Sequence, residues 1–248
     1  MPSRNSPLPA VFRDLVGAQL REREELRRFP EEELCAVIRE VGFSCDLCGR
    51  CCTRAFNGHV LLLDGDVERI RETDPLSLEP VPLYDFCDQH GTFYTAGYTI
   101  RSKGDDDGSC IFLEEGRCRI YQRRPGVCRI YPYMLNRELD AGGVMDWRQI
   151  SGLDLHGEYH TPVSREESFR IAREVREFEE AVLTRQIAFL TCMGEYFQEH
   201  GLRHVRKKYD DGIRSARQGA EIRVMVYHQG RFDRWRVRAG IATPVPGA

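Results

Sequence analysis

Apolar residues at helical spacing mark the start of the chain. Phe12, Val16 and Leu20 recur every four residues, which predicts an amphipathic helix over Pro9–Arg28. Proline suits the first turn of a helix, so we expect a second helix over Pro30–Glu40. Two helices therefore precede the first cysteine-rich segment.

Short apolar runs alternate with turn-forming residues in the middle of the chain. The run His59–Leu63 predicts a buried strand, and Asp66 is a candidate cap for a short helix over Val67–Glu72. Residues 74–107 are rich in Pro, Gly, Asp and Tyr. We expect a loop-rich segment there, in which only Tyr94–Ile100 has strand character.

A hairpin and a helical turn are predicted next. Ile111–Leu113 has strand character, and Glu114–Gly116 supplies a turn that brings Cys118 back alongside that strand. Arg119–Arg123 has the composition of one helical turn, which Pro125 ends because its ring excludes helical geometry at the preceding residue. This hairpin would hold two thiols close together.

A long amphipathic helix is predicted for the C-terminal part. The sequence Ser164–Glu167 has the form of a capping box. Four apolar residues then fall on one helical face: Ile171, Val175, Phe178 and Val182. The pattern continues through Leu190 and Phe197 and stops at Gly201.

The chain closes with strand-like alternation. Ile222, Val224 and Val226 alternate with polar residues, and Gly230 allows a turn into Phe232–Val237. The elements together predict an α+β fold, in which a small irregular cysteine-rich metal-binding domain is flanked by α-helices and a C-terminal β-hairpin follows. The predicted segments are N-terminal helices (1–42), the cysteine-cluster domain (43–135), and a helical region with a basic hairpin (136–248).

Composition narrows the class of protein. The chain has 248 residues, 41% of them hydrophobic, which is enough for a sizeable core and argues against disorder. The N-terminus lacks the apolar run of a secretory signal, and no segment is apolar enough to span a bilayer. We therefore expect a soluble, cytoplasmic protein without membrane contact, whose thiols are reduced rather than paired as disulfides.

Charge is distributed unevenly along the chain. The formal charge is −3, yet residues 201–240 hold eleven Arg and Lys against four Asp and Glu. A basic tail that docks on the acidic remainder explains this pattern most simply, and contact with a nucleic acid or an acidic protein is the alternative. Because no nucleic-acid-binding motif accompanies the basic residues, we do not expect a nucleic-acid partner.

Cysteine spacing gives the strongest chemical signal. Seven of the ten cysteines fall in two clusters: Cys45, Cys48, Cys51 and Cys52, then Cys110, Cys118 and Cys128. Steps of three residues around a glycine-containing turn can aim successive thiolates at one point, as zinc and iron-sulfur clusters require. The sequence therefore predicts that these seven residues are metal ligands.

The identity of the metal stays open between two alternatives. A closed zinc site takes four thiolates, whereas three cysteines at this spacing plus a remote one also suit a 4Fe-4S cluster, which we favour. Against that choice, Cys52 directly follows Cys51, and no proline follows Cys128. Since adjacent side chains of an extended chain point in opposite directions, Cys51 and Cys52 need not serve the same site.

Several other residues are weaker candidates. Cys87 and His90 have CxxH spacing and could add a ligand, and His156 and His160 lie four residues apart but in a glycine-containing stretch. Three arginines near the second cluster could bind an anion or donate hydrogen bonds to cluster sulfur: Arg123, Arg124 and Arg129. Cys35 and Cys192 sit among apolar residues, where we expect them to belong to the core.

The two clusters with their flanking residues resemble a known family. The segment has CxxCxxCC after an aromatic residue, then Cys-Ile-Phe-Leu, Cys-Arg-Ile-Tyr and Arg-Pro-x-x-Cys-Arg. Over Phe43–Pro132 it is similar to the YkgJ-type cysteine-cluster family, which is described as zinc- or iron-chelating. Flagellin lysine N-methylases look similar over the same cluster.

The resemblance leaves two functions to weigh. The first is a metal-binding protein with an electron-handling or accessory role and an unidentified protein or redox partner. The second, implied by the resemblance alone, is a protein-lysine N-methylase that uses S-adenosylmethionine. The chain has no GxGxxG after a strand, no P-loop, no HExxH and no CxxxCxxC, so we favour the first. A redox enzyme with exposed thiols is a third possibility.

Overall fold

The computed structural model describes residues 7–135, 138–139, 145–146, 149–150 and 152–246. Helices and strands are both abundant in it, which confirms the predicted α+β class. The α-helices of the described residues are α1 (Ala10–Arg28), α2 (Glu31–Val41), α3 (Arg54–Asn57), α4 (Asp64–Thr73), α5 (Gly126–Ile130), α6 (Arg165–Glu199) and α7 (Arg206–Arg217).

Most strands are short. They are β1 (Leu78–Pro80), β2 (Phe86–Cys87), β3 (Thr92–Ala96), β4 (Tyr98–Ile100), β5 (Leu113–Glu114), β6 (Arg117–Cys118), β7 (Tyr133–Met134), β8 (Glu138–Leu139), β9 (Met145–Asp146), β10 (Gln149–Ile150), β11 (Ile222–His228), β12 (Arg231–Arg238) and β13 (Ile241–Pro244). Three single-turn 3-10 helices are also present among the described residues: Arg50–Cys52, Pro75–Ser77 and Tyr121–Arg123.

Contacts within the chain form two compact units. The first unit comprises Met1–Arg21, Leu61–Ile100 and Thr184–Ala248, and the second comprises Glu22–Val60 and Arg101–Leu183. The three segments predicted from the sequence remain a prediction.

A five-stranded sheet organises the first unit. Its strand order is β13-β12-β11-β3-β2, and every neighbouring pair is antiparallel except β11 and β3. Buried aromatic and aliphatic residues of α6, including Phe189 and Phe197, pack with Phe12, Tyr94 and Tyr227 in one core cluster. Burial of these large side chains stabilises the unit.

The predicted C-terminal hairpin is confirmed and belongs to this sheet. Ile222, Val224 and Val226 are buried while Arg223 is exposed, as the alternation predicted. The turn uses Gln229 at φ 48° and Gly230 at φ 78°, the two positive values of a type I′ turn. The sequence did not show that β13 extends the hairpin or that β3 pairs with it in parallel.

Other elements of the first unit differ from the prediction. The run His59–Leu63 is not a strand: Leu61 makes a single bridge to Thr99, because α4 begins at Asp64 and ends the extended stretch. The expected strand Tyr94–Ile100 is broken into β3 and β4 at Gly97, which has φ 90°.

Two further corrections concern helices. Asp66 lies inside the first turn of α4 rather than before it, and its carboxylate accepts a hydrogen bond from the Leu63 N–H at 3.3 Å. Helix α7 was missed altogether, because its sequence is strongly polar and none of its residues is buried.

Helices α1, α2 and α6 contribute to the second unit. Leu34, Ile38 and Val41 of α2 are buried, and Gly42 ends the helix in the left-handed conformation. The predicted cap of α6 is present, since the Glu167 N–H donates to the Ser164 hydroxyl at 3.1 Å. Ion pairs join these helices at Arg27–Glu180, Arg173–Glu31 and Arg176–Glu31. Among the described helices, none has both the length and the apolar character needed to cross a bilayer.

Candidate metal centre

The first cysteine cluster lies on a tightly turned loop of the second unit. Leu47 at φ 62° and Gly49 at φ 74° are both in the left-handed region, and the Cys48 N–H donates to the Asp46 carboxylate at 3.0 Å. The chain then enters the 3-10 helix Arg50–Cys52, where the Cys52 N–H donates to the Gly49 carbonyl at 3.0 Å. Repeated reversal of the backbone keeps the four thiols within one small region.

Backbone pairing places Cys110 beside Cys52. The Cys110 N–H donates to the Cys52 carbonyl at 2.8 Å, and Thr53 forms a bridge with Ser109. The Arg54 N–H donates to the Gly108 carbonyl at 3.1 Å and extends the same contact. The second cluster is therefore tied to the first by main-chain hydrogen bonds.

The predicted hairpin is present and positions Cys118. Leu113 of β5 pairs with Cys118 of β6, across a turn in which Glu115 and Gly116 have φ of 48° and 76°. The strands are shorter than predicted and begin at Leu113 rather than Ile111. Gly49 lies against this hairpin, because a Cβ placed on it would meet a Leu113 methyl at 3.0 Å. The first cysteine loop thus packs on the strand that leads to Cys118.

Cys128 comes from a third segment. Pro125 ends the 3-10 helix Tyr121–Arg123, as predicted, and also starts the short helix α5. Within α5 the Cys128 N–H donates to the Pro125 carbonyl at 3.0 Å.

Four thiols from these three segments lie within electrostatic range of one another. They are Cys52, Cys110, Cys118 and Cys128, and every pair among them interacts. Cys45 is connected to this group through Cys118, and Cys51 through Cys52. We call these four mutually interacting residues the thiol quartet.

The environment of the quartet favours neutral thiols. Burial and the neighbouring thiols raise the pKa of Cys110 to about 11, and the same causes raise the pKa of Cys118 and Cys128. The pKa of Cys52 is raised first by its hydrogen bond with Cys51 and then by burial. A bound cation reverses this preference because it stabilises thiolates.

One arginine acts on most of the quartet. The positive charge of Arg124 lowers the pKa of Cys52, Cys118 and Cys128, in opposition to burial. Its guanidinium stacks on the Tyr121 ring, 4.1 Å from the centroid. Arg129 instead pairs with Glu174 at 2.6 Å. Of the three predicted arginines, Arg124 therefore acts electrostatically on the thiols and Arg129 belongs to an ion pair.

Exposure differs within the cysteine set. Cys45 and Cys48 are exposed, whereas Cys51, Cys52, Cys110, Cys118 and Cys128 are partly buried. Throughout the part of the chain that the structure describes, no three Cys, His, Asp or Glu side chains are close enough to hold a metal ion without rearrangement. The seven-residue ligand set therefore remains a prediction.

An aromatic group that sequence reasoning missed lies against the first cysteine loop. The rings of Phe43, Tyr131 and Tyr159 each contact another ring of this group, and His156 lies among them. His156 Nε2 hydrogen-bonds to the Tyr131 hydroxyl at 2.9 Å. Two members gave a signal in the sequence: Phe43 as the aromatic residue before the motif, and His156 as a weak ligand candidate.

The weaker candidates from the sequence lie elsewhere. His160 is exposed at φ 58° beside Asp154, so it does not share a helical face with His156. Cys87 belongs to the first unit, where its side chain is fully buried in β2, two residues before the turn that contains His90. Cys35 is buried in α2 as expected, and Cys192 is partly buried against the core of the first unit.

Comparison with protein families supports the sequence resemblance for the middle of the chain. Residues 44–148 match the family CxxCxxCC, described as "Putative zinc- or iron-chelating domain". The matched segment contains all seven clustered cysteines and covers less than half of the chain. This part of the protein is therefore similar to domains that are described as zinc- or iron-chelating. No curated protein and no solved structure matches the chain.

Proposed function

We propose that the cysteine domain binds an iron-sulfur cluster or zinc, with the thiol quartet as its central ligands. One observation carries the proposal: the backbone of Cys110 pairs with that of Cys52, and the adjoining hairpin brings Cys118 back opposite Leu113. Cys128 of α5 lies within electrostatic range of all three thiols. Structural zinc and cubane iron-sulfur clusters both take four protein thiolates. Cys45, Cys48 and Cys51 complete the seven-thiol set at the edge of the quartet.

The seven cysteine thiols suit zinc or an iron-sulfur cluster better than they suit harder cations. All seven are sulfur, which selects zinc, copper(I) or iron-sulfur clusters and disfavours magnesium and calcium. Of these, the family match names zinc and iron. Arg124 adds a positive charge that offsets the negative charge of a tetrathiolate site.

We favour an iron-sulfur cluster, of the 4Fe-4S type, over zinc. The first cysteine cluster has the CxxCxxC spacing that is common in iron-sulfur proteins, and the quartet supplies the four thiolates that such a cluster takes. When bound, such a cluster supplies one-electron transfer. The chain then has an electron-handling or accessory role and serves a redox partner.

Loading should also order the exposed loop. Cys45 and Cys48 are exposed, while the four thiols of the quartet are partly buried. Because no ready-made group of three ligands exists among the described residues, the thiols must move closer to bind. We infer that metal draws the loop around Leu47 and Gly49 onto the quartet, which couples binding to local folding.

The test is anaerobic purification followed by measurement of iron, zinc, acid-labile sulfide and the visible spectrum. Iron with matching sulfide supports the cluster, and zinc without sulfide supports the structural alternative. Cys128→Ser should lose most of the bound metal, whereas the matched control Cys192→Ser, outside the set, should keep it. Full metal content in Cys128→Ser would overturn the proposal.

A further inference from the structure

Four exposed arginines lie on one side of the five-stranded sheet. Arg234, Arg236 and Arg238 occupy alternate positions of β12, and Arg223 of β11 lies directly opposite Arg236. Residues at alternate positions and in direct register point to the same side of a sheet. All four side chains are exposed, and the name "arginine face" is used for this set.

Few partners among the described residues neutralise the positive charges of the arginine face. Arg223 donates to the His90 carbonyl at 2.6 Å, and Arg236 lies 3.7 Å from the Glu221 carboxylate. The guanidinium groups of Arg234 and Arg238 have neither a hydrogen bond nor an ion pair with any residue that the structure describes. Like charges placed directly opposite each other, as at Arg223 and Arg236, destabilise a sheet.

The spacing of the arginines indicates the shape of an anionic ligand. Alternate residues of a strand lie about 6.8 Å apart, and alternate side chains of any extended peptide have the same period. All four residues are arginine and none is lysine, which suits bidentate pairing with planar carboxylates. Acidic residues at every second position of an extended segment would therefore meet successive guanidinium groups.

A nucleic acid fits this face less well. Sequence-tolerant binding of single strands relies on exposed aromatic rings that stack with bases. The aromatic residues of β12 are unsuited to this role, because Trp235 is buried on the opposite face and Phe232 packs against Tyr94 and Tyr196. The exposed neighbours of the arginines on β13 are Ile241 and Thr243.

We propose that the arginine face docks an extended acidic segment of a partner protein. The carboxylates of that segment stand at alternate positions and pair with Arg234, Arg236 and Arg238. This surface lies within the first unit and is assigned independently of the metal centre.

Fluorescence anisotropy with the full-length protein tests the proposal. The probe is a labelled peptide of about twelve residues that alternates Glu and Thr, and it is compared with a peptide of equal composition in which the glutamates are contiguous. We expect the alternating peptide to bind more tightly by about fivefold or more, since only its carboxylates match the arginine period.

Matched variants separate specific docking from general charge attraction. Arg234→Gln/Arg236→Gln/Arg238→Gln should weaken peptide binding by about tenfold or more, and lysine at the same three positions should not restore it fully. Arg206→Gln/Lys207→Gln/Lys208→Gln removes the same charge from exposed residues of α7 and should change binding by less than about twofold.

Three outcomes would overturn the inference. If the two triple variants weakened peptide binding equally, binding would depend only on the net charge of the protein. Tighter binding of a labelled oligothymidylate of the same length would make the surface a nucleic-acid site. A dimer in sedimentation velocity that the arginine triple variant abolishes would identify the occupant as a second copy of this chain.

Discussion

The adjacent cysteines Cys51 and Cys52 should have unequal roles. The Cys52 thiol interacts with the other three members of the quartet, whereas Cys51 interacts with Cys52 and with the hydroxyl of Tyr159. The Cys51 carbonyl is held by the amide of Asn57 at 3.0 Å. We therefore expect Cys52→Ser to weaken metal binding strongly and Cys51→Ser to weaken it little.

The size of the difference follows from the number of ligands. Structural zinc sites have apparent binding free energies of about 10 to 16 kcal/mol, so each of four thiolates accounts for about 2.5 to 4 kcal/mol. Since about 1.4 kcal/mol corresponds to a factor of ten, Cys52→Ser should lower the affinity about 60-fold to 700-fold. A change below about threefold is expected for Cys51→Ser, whose thiol lies outside the quartet.

Competition against a chromophoric chelator measures the zinc affinity of both variants. Iron retention during anaerobic gel filtration compares how firmly they hold iron. Circular dichroism of each apoprotein controls for folding. Because the two positions are neighbours, local disruption should affect both equally. A Cys51→Ser variant that loses as much affinity as Cys52→Ser, or more, would refute the assignment of Cys52 to the quartet.

Three further predictions concern the rest of the chain. Gly42→Ala should lower the free energy of unfolding by roughly 3 kcal/mol or more, because its Cβ would lie 2.2 Å from the Thr161 carbonyl oxygen. The control is Gly201→Ala, which is also at a helix end with positive φ but faces open space, and it should lower the free energy by about 1 kcal/mol. Thermal or urea unfolding measures both variants. His228 is buried between Asp64 and Glu68; burial lowers its pKa, but the two carboxylates outweigh that effect and raise it, while the pKa of each carboxylate is lowered. The contribution of His228 is therefore fully present below its unfolded pKa of about 6.5 and is lost as the pH rises through its folded pKa. His228→Gln should accordingly destabilise by about 1 to 3 kcal/mol near pH 6 and by less near pH 9, and a constant difference in urea unfolding at the two pH values would contradict this. Isothermal titration of the metal-loaded protein with S-adenosylmethionine should give no binding heat, and saturable binding would restore the methylase alternative.

Elements with strong periodic signals could be predicted from the sequence. The capped helix α6 and the hairpin of β11 and β12 were found because apolar spacing and turn residues agree in each. The hairpin before Cys118 was found for the same reason, with Glu115 and Gly116 at its turn. Local sequence was sufficient wherever the stabilising contacts are local.

Features that depend on distant contacts could not be predicted. Nothing near Thr92–Ala96 indicates that this strand pairs in parallel with β11, since the partner lies more than a hundred residues away. The apolar run His59–Leu63 satisfied the strand pattern, yet α4 begins too soon for a second hydrogen-bonded partner. The cysteine spacing also did not indicate that Cys51 and Cys52 have different roles at the metal site. That difference arises because Cys110, a distant residue, pairs through its backbone with Cys52.

X-ray absorption at the metal edge of anaerobically purified protein identifies the atoms bound to the metal and therefore tests whether the cysteine domain is a thiolate centre. We expect a first shell of sulfur alone, with four sulfur ligands to zinc or, in an iron-sulfur cluster, additional iron neighbours. A first shell dominated by nitrogen or oxygen would contradict the assignment of the cysteine domain as a thiolate metal centre.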